Sequence, residues 1–199
     1  YMGGSDKILK INCSEYAGPH EYAKLIGSPP GYVGSNEPGI LATKAEESSR
    51  WVILFDEIEK ADSKLHNLLL GFLDDGYITD NKGNVLDFSN SIFLFTSNVG
   101  IHENVGIKSV GFDSKITTYD GAKEKVMDAF KQEFAPEFIN RIDEIIFFNQ
   151  LTVEDAENIA KLNLRNLPIK ITKKLVSHIV DNAYSPEYGA RNIKRYIKQ

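Results

Sequence analysis

The chain has 199 residues, enough for one full domain or one domain with a small satellite. Hydrophobic residues make up 42% and charged residues 26%, the balance of a globular protein that folds in water. A net charge of -5 and a pI of about 5.4 argue against binding a nucleic-acid backbone, which needs a basic surface; no apolar run reaches the length of a membrane span, and no signal peptide opens the chain.

The single cysteine, Cys13, excludes an internal disulfide and fits a reducing compartment, the cytoplasm or an organelle stroma or matrix. The four histidines are scattered, without metal-ligand spacing. Residues 7–12 alternate and predict a strand. The loop from Gly27 to Gly39 is rich in proline and glycine, which forbid regular structure. It nevertheless carries Gly31-Tyr32-Val33-Gly34, an aromatic and a β-branched residue between glycines. Two readings stand: Tyr32 packs back on its own domain, or it is presented outward to grip a polypeptide with little sequence preference.

Residues 40–49 read as a helix entering Trp51-Val52-Ile53-Leu54-Phe55-Asp56-Glu57. Five apolar residues followed by two acids read as a strand of a parallel sheet, buried on both faces. Ligands of open α/β sheets sit outside the carboxyl ends of the strands, where Asp56 and Glu57 would stand. Phosphate chemistry needs one carboxylate there for Mg²⁺ and one to polarise water; the alternative is a core strand running into a helix whose first turn favours acids. Leu65, Leu68, Leu69, Phe72 and Leu73 then fall on one helical face, with Asp62 or Ser63 as the cap.

Residues 77–80 and 84–87 flank Asn81-Lys82-Gly83 and predict a hairpin. A second buried strand, residues 91–95, ends in Thr96-Ser97-Asn98, polar groups able to reach a water or phosphate beside Asp56. Residues 101–119 form a long loop carrying Val110-Gly111-Phe112. A helix over 123–134 and a third buried strand over 144–148 follow. Near residues 149–151 a boundary is expected. Beyond it, Thr152 to Asp155 reads as a capping box, with helices to about 167 and over 172–183 and a last basic helix after Gly189-Ala190-Arg191. The expected architecture is α/β: residues 1–148 a parallel sheet flanked by helices, residues 149–199 a small helical unit.

Together these motifs resemble the second ATPase module of the Clp unfoldases, members of the AAA+ class, over essentially all 199 residues. The resemblance implies that Leu54-Phe55-Asp56-Glu57 is the Walker B motif, with Asp56 positioning Mg²⁺ and Glu57 activating the hydrolytic water. It implies that Asn98 is the first sensor, Arg141 the arginine finger reaching a neighbouring subunit, and Arg191 the second sensor contacting ATP. An alternative for Arg141 is a salt bridge to Asp143 or Glu144; for Arg191, plain solvation on a basic face. Gly31-Tyr32-Val33-Gly34 matches the pore loop that draws unfolded protein through a hexameric ring. The hairpin matches the region of a second pore loop. Val110-Gly111-Phe112 matches the tripeptide that docks on the ClpP peptidase, favouring the ClpC and ClpA branch over ClpB-type disaggregases; the same triplet could instead anchor its own loop.

One departure stands out. The family's Walker A motif, Gly-x-x-Gly-x-Gly-Lys-Thr, is absent from these 199 residues; in the family it lies just upstream of the position of Tyr1. The helical unit also ends before the family's final strand. A trimmed piece of a longer chain is therefore expected, inactive alone for want of the phosphate cradle. A non-catalytic AAA+ module and a nucleic-acid motor on the same fold are the alternative readings.

Overall fold

The structure is a computed structural model and describes residues 7–32, 35–100, 119–149, 151–185 and 189–198. The chain divides into two compact units, one up to Ile145 and one from Ile146.

In the first unit, strand β1 (Ile8–Asn12) leads through a 3₁₀ turn to a short helix, α1 (Ala23–Ile26). Helix α2 (Ile40–Glu47) enters strand β2 (Val52–Asp56). Helix α3 (Ser63–Asp75) follows; the Asp62 side chain caps it by accepting the Lys64 N–H, and Gly76 closes it in the left-handed region at φ 73°. A side chain there is also shut out by the backbone of Ser89. Strands β3 (Tyr77–Thr79) and β4 (Val85–Asp87) form the antiparallel hairpin. Strand β5 (Ile92–Phe95) precedes helices α4 (Tyr119–Glu133) and α5 (Pro136–Ile139).

The sheet is parallel, in the order β1-β2-β5. One face carries Ile11, Ile53, Phe55, Phe93 and Phe95 against Leu65, Leu69 and Phe72 of α3 and against Phe134 and Phe138. Phe55 stacks on Phe95 at 5.4 Å between ring centroids, and Phe95 meets Phe138 edge-on at 5.5 Å. Such ring pairs add about 0.5–1.5 kcal/mol to the area they bury. This aromatic floor fixes where the strand ends lie.

The sequence predicts β2 as a strand buried on both faces and residues 91–95 as a second buried strand, and here the structure differs. On the second face Val52 and Leu54 are only half-buried, and Ile92 and Leu94 are exposed. The sheet residues that join the core all belong to the aromatic face, and none of these four is among them. A second correction concerns residues 144–148. They form no strand, and Ile146 and Phe148 stand 67% and 93% exposed. A strand exists only where a neighbour completes its ladder, and no described strand pairs with this segment.

The second unit packs α6 (Val153–Leu164), α7 (Lys173–Ala183) and α8 (Arg191–Ile197) around Ala160, Leu164, Val176, Ile179, Val180 and Ile193. Thr152 and Asp155 make the reciprocal capping box that the sequence predicts. The Asp155 carboxyl lies below its ordinary pKa because the Thr152 hydroxyl and backbone N–H both donate to it.

Candidate active site at the carboxyl end of the sheet

Parallel register sets the site. Phe55 pairs with Phe95, so the next residue on each strand, Asp56 and Thr96, arrive side by side at the rim. The Thr96 hydroxyl donates to Asp56 Oδ1 at 2.6 Å and accepts the Glu57 N–H at 3.0 Å. The Thr96 carbonyl accepts the Ile58 N–H at 3.0 Å. Glu57 is thus clamped on both sides, and it needs to be: its φ of 58° and ψ of 55° are left-handed. Among the described residues it is the only non-glycine residue with positive φ, a conformation that costs about 1–2 kcal/mol. Strain of this kind, held by its surroundings, is characteristic of functional sites.

Two further contacts orient the acids. Lys10 Nζ sits 2.6 Å from Asp56 Oδ2, and the Ser14 hydroxyl donates to Glu57 Oε2 at 3.1 Å. Asn98 reaches the same rim through its backbone, whose N–H donates to Glu59 Oε1 at 3.1 Å. Glu59 Oε2 is buried and has no hydrogen-bond partner among the described residues. Beneath the rim, burial pushes the Cys13 thiol up to about 12, with the charges of Asp56, Glu59 and Glu57 adding to the effect. Cys13 is therefore an inert core residue.

The structure brings Asp56, Glu57 and Asn98 to one rim. Arg141 lies elsewhere in the same unit, after α5. It forms an ion pair through Nε with Asp74, at the end of α3, and its Nη1 donates to the Glu137 carbonyl at 2.8 Å. The sequence alternatives, Asp143 and Glu144, are not its partner: the turn that follows α5 faces the end of α3 instead. The hydrogen bond to Asp74 raises the Arg141 pKa further, so the side chain is a permanent cation. Its pair is solvent-exposed and so contributes little to stability. Arg191, the first residue of α8, is exposed in the second unit.

Tyr32 stands 71% exposed beside Gly31, whose φ is 90°. It does not pack back on its own domain. Val33, Gly34 and the triplet Val110-Gly111-Phe112 lie outside the described residues. Glu59 and Lys10 carry contacts that sequence reasoning did not single out, and Thr96, placed beside Asp56 by the sequence, bonds Asp56 and Glu57 directly. The signal for Thr96 was available, since the first polar residue beyond each of two paired parallel strands must meet at one edge.

A hard divalent cation fits this donor set. Among the described residues no group of three or more histidine, cysteine or acidic side chains could hold a metal ion by itself. One or two carboxylates at an open rim match the way Mg²⁺ is held, with water and substrate phosphate completing its shell.

Comparison with known proteins agrees with this geometry. Residues 1–145 match the family model described as AAA domain (Cdc48 subfamily), and residues 151–199 match the C-terminal, D2-small domain, of ClpB protein. The chloroplastic chaperone protein ClpC1 of Oryza sativa is 40% identical over 99% of this chain. The chaperone protein ClpB of Oceanobacillus iheyensis is 40% identical over 98%. The ATP-dependent Clp protease ATP-binding subunit ClpC of Staphylococcus epidermidis is 38% identical over 100%. The chain spans only about a quarter of these relatives, 23%, 25% and 26% of their lengths. Among solved structures, the Saccharomyces cerevisiae Hsp104:casein complex in an extended conformation overlays with a TM-score of 0.83 at 31% identity, covering 97% of this chain and 34% of that one. A closed-state Hsp104 with ATPγS and FITC-casein gives 0.81 at 33% identity over the same shares. The chain belongs to the AAA domain family, and within it to the second AAA module of the Clp type.

Proposed function

We propose that these residues form part of an ATP-driven protein unfoldase, and that the rim at the end of β2 is its hydrolytic site. The observation that carries the reading is the clamped pair Asp56 and Glu57, held by Thr96 at the carboxyl end of a parallel strand. Asp56 would hold Mg²⁺ through its water shell. Glu57, held through its backbone by Thr96 and through its carboxylate by Ser14, would accept the proton of the attacking water, with Asn98 orienting that water. Mg²⁺ held there would supply positive charge against the nucleotide phosphates. Arg141 would act on the nucleotide of a neighbouring subunit in a hexameric ring, and its weak tie to Asp74 makes its release cheap. Arg191 would contact the phosphates of bound ATP.

Tyr32 would grip the threaded polypeptide, as its exposure and glycine-flanked position favour. Val110, Gly111 and Phe112 would dock a ClpP-type peptidase, placing the protein on the ClpC and ClpA branch. A ClpB-like disaggregase is the second reading, favoured by the similarity to ClpB and to Hsp104. Deleting residues 110–112 from the full-length protein separates the two. Degradation lost with ATP turnover intact supports peptidase docking; degradation unaffected contradicts it.

No Gly-x-x-Gly-x-Gly-Lys-Thr phosphate cradle occurs in these 199 residues, so alone they should show no Mg²⁺-dependent ATP turnover. Turnover by the purified 199-residue chain would overturn that assignment. For the rim itself, Asp56→Asn in the full-length protein should weaken Mg²⁺-dependent nucleotide hydrolysis by about 100-fold or more; retained hydrolysis would remove Asp56 from the site.

A further inference from the structure

The Tyr32 loop is not loose at its base. Its ends, Gly27 and Gly39, meet: a side chain on Gly39 would strike the Leu25 carbonyl and the Gly27 nitrogen, so only glycine allows this approach. Compact loops of this length whose ends touch are commonly functional. Between its ends the Tyr32 N–H donates to the Pro29 carbonyl at 3.2 Å and the Ser35 N–H to the Tyr32 carbonyl at 3.1 Å.

The tip of the β3–β4 hairpin grips this loop from the side. The Asn81 backbone N–H donates to the Ile26 carbonyl at 3.2 Å. The Asn81 side-chain amide donates to the Gly27 carbonyl. One residue on, Lys82 Nζ donates to the Asn36 carbonyl at 3.3 Å, on the far arm of the loop. Two consecutive tip residues therefore hold both arms.

The tip itself is stiff. Asp80 is 8% exposed, and its carboxylate accepts the Lys82 N–H and the Asn84 N–H, each at 2.8 Å, and the Asn84 side-chain amide at 2.9 Å. Gly83, at φ 88°, completes the turn. The hairpin is in turn anchored in the core by Ile78 and Leu86, 6% and 4% exposed. A rigid, core-anchored arm thus ends in donors aimed at loop carbonyls that no helix or sheet satisfies.

We infer that Asn81 is a positioning residue for the Tyr32 loop: the hairpin tip braces the loop's neck, so that Tyr32 moves with the body of the unit. The functional part of this inference rests on the reading of Tyr32 as the substrate grip; the brace itself does not. Without the brace, force applied at Tyr32 bends the loop. With it, the force reaches β3, β4 and the end of α3, to which Gly76 ties the hairpin.

The test compares Asn81→Ala and Asn81→Asp with the wild type. Both lose the donor to Gly27, and the aspartate sets a carboxylate against that carbonyl. In the 199-residue chain, amide hydrogen exchange at Tyr32 and Ser35 should rise about five-fold in Asn81→Ala, the size of one net hydrogen bond, and more in Asn81→Asp. Exchange in β2 and α3 should stay unchanged. Unchanged exchange at Tyr32 and Ser35 in both variants overturns the brace, whatever Tyr32 does. Equal increases in β2 and α3 also overturn it, because they mark general loosening. In the full-length protein, Asn81→Ala should slow substrate unfolding about five-fold while ATP kcat and KM stay within two-fold. A faster-exchanging loop with unfolding unaffected shows a brace without a role in pulling and overturns the functional part. Tyr32→Ala run alongside reports separately on the grip: if that variant still unfolds substrate, the reading of Tyr32 fails rather than the brace.

Discussion

The rim at the end of β2 and the loop that carries Tyr32 solve opposite problems with the same unit. At the rim every acid is tied across strands: Asp56 to Thr96 and Lys10, Glu57 to Thr96 and Ser14. The aromatic floor of Phe55, Phe95 and Phe138 keeps those ties in register. Tyr32, by contrast, is 71% exposed and held only through the neck of its loop. Chemistry needs atoms fixed to fractions of an ångström, and the proposed reading assigns it to the rim, where a sheet dictates position. Gripping a polypeptide of arbitrary sequence needs an accessible ring on a mount, and the proposed reading assigns it to the loop that carries Tyr32.

Breaking the floor should do the most damage. Phe72→Ala removes a ring packed on Phe88 and Phe93 and should destabilise the first unit by about 3–5 kcal/mol, read by chemical denaturation. A loss under 1 kcal/mol would mean the floor is not what holds the rim. Thr96→Val keeps the shape of the side chain and deletes the hydroxyl. Because Thr96 is exposed, folding stability should barely change, while ATP turnover in the full-length protein falls about 100-fold through misplacement of Glu57. Thr96→Ser should restore it, and failure of that rescue would assign the loss to packing.

On the loop side, Gly39→Ala forces a methyl group into the Leu25 carbonyl and should cost about 1–3 kcal/mol, with Tyr32 amide exchange rising before any change at the rim. The smallest effect is at Cys13. A folded thiol pushed up to about 12 stays protonated where an unfolded one, near 9.0, ionises. Its contribution is complete below the unfolded value and is lost as pH rises toward 12. Alkylation of Cys13 at pH 8 should therefore track global unfolding; fast labelling of native protein would place the thiol outside the core.

Local patterns were readable where the physics is local. The stripe of Leu65, Leu69 and Phe72 follows the helical repeat, the Thr152–Asp155 box needs only four consecutive residues, and the hairpin declares itself in Asn81-Lys82-Gly83. The parallel sheet followed from apolar runs ending in polar groups. What sequence could not supply was neighbourhood. Arg141 meets Asp74 across 67 residues, and no spacing rule announces that pair. Residues 144–148 looked like a core strand because composition records what could be buried, not whether a partner strand is there. The half-open face of Val52, Leu54, Ile92 and Leu94 escaped notice for the same reason. The sequence pattern marks Asn81 as a turn former, whereas its side chain reaches Gly27, 54 residues earlier.

The division of labour between rim and loop is tested most directly by measuring ATP hydrolysis and unfolding of a folded fluorescent substrate side by side in the full-length protein, for Glu57→Gln and Tyr32→Ala. Glu57→Gln should bind ATP yet lose about 10²–10⁴-fold in hydrolysis, and unfolding with it. Tyr32→Ala should hydrolyse ATP at near the wild-type rate and unfold nothing. Hydrolysis surviving in Glu57→Gln, or unfolding surviving in Tyr32→Ala, would contradict the account.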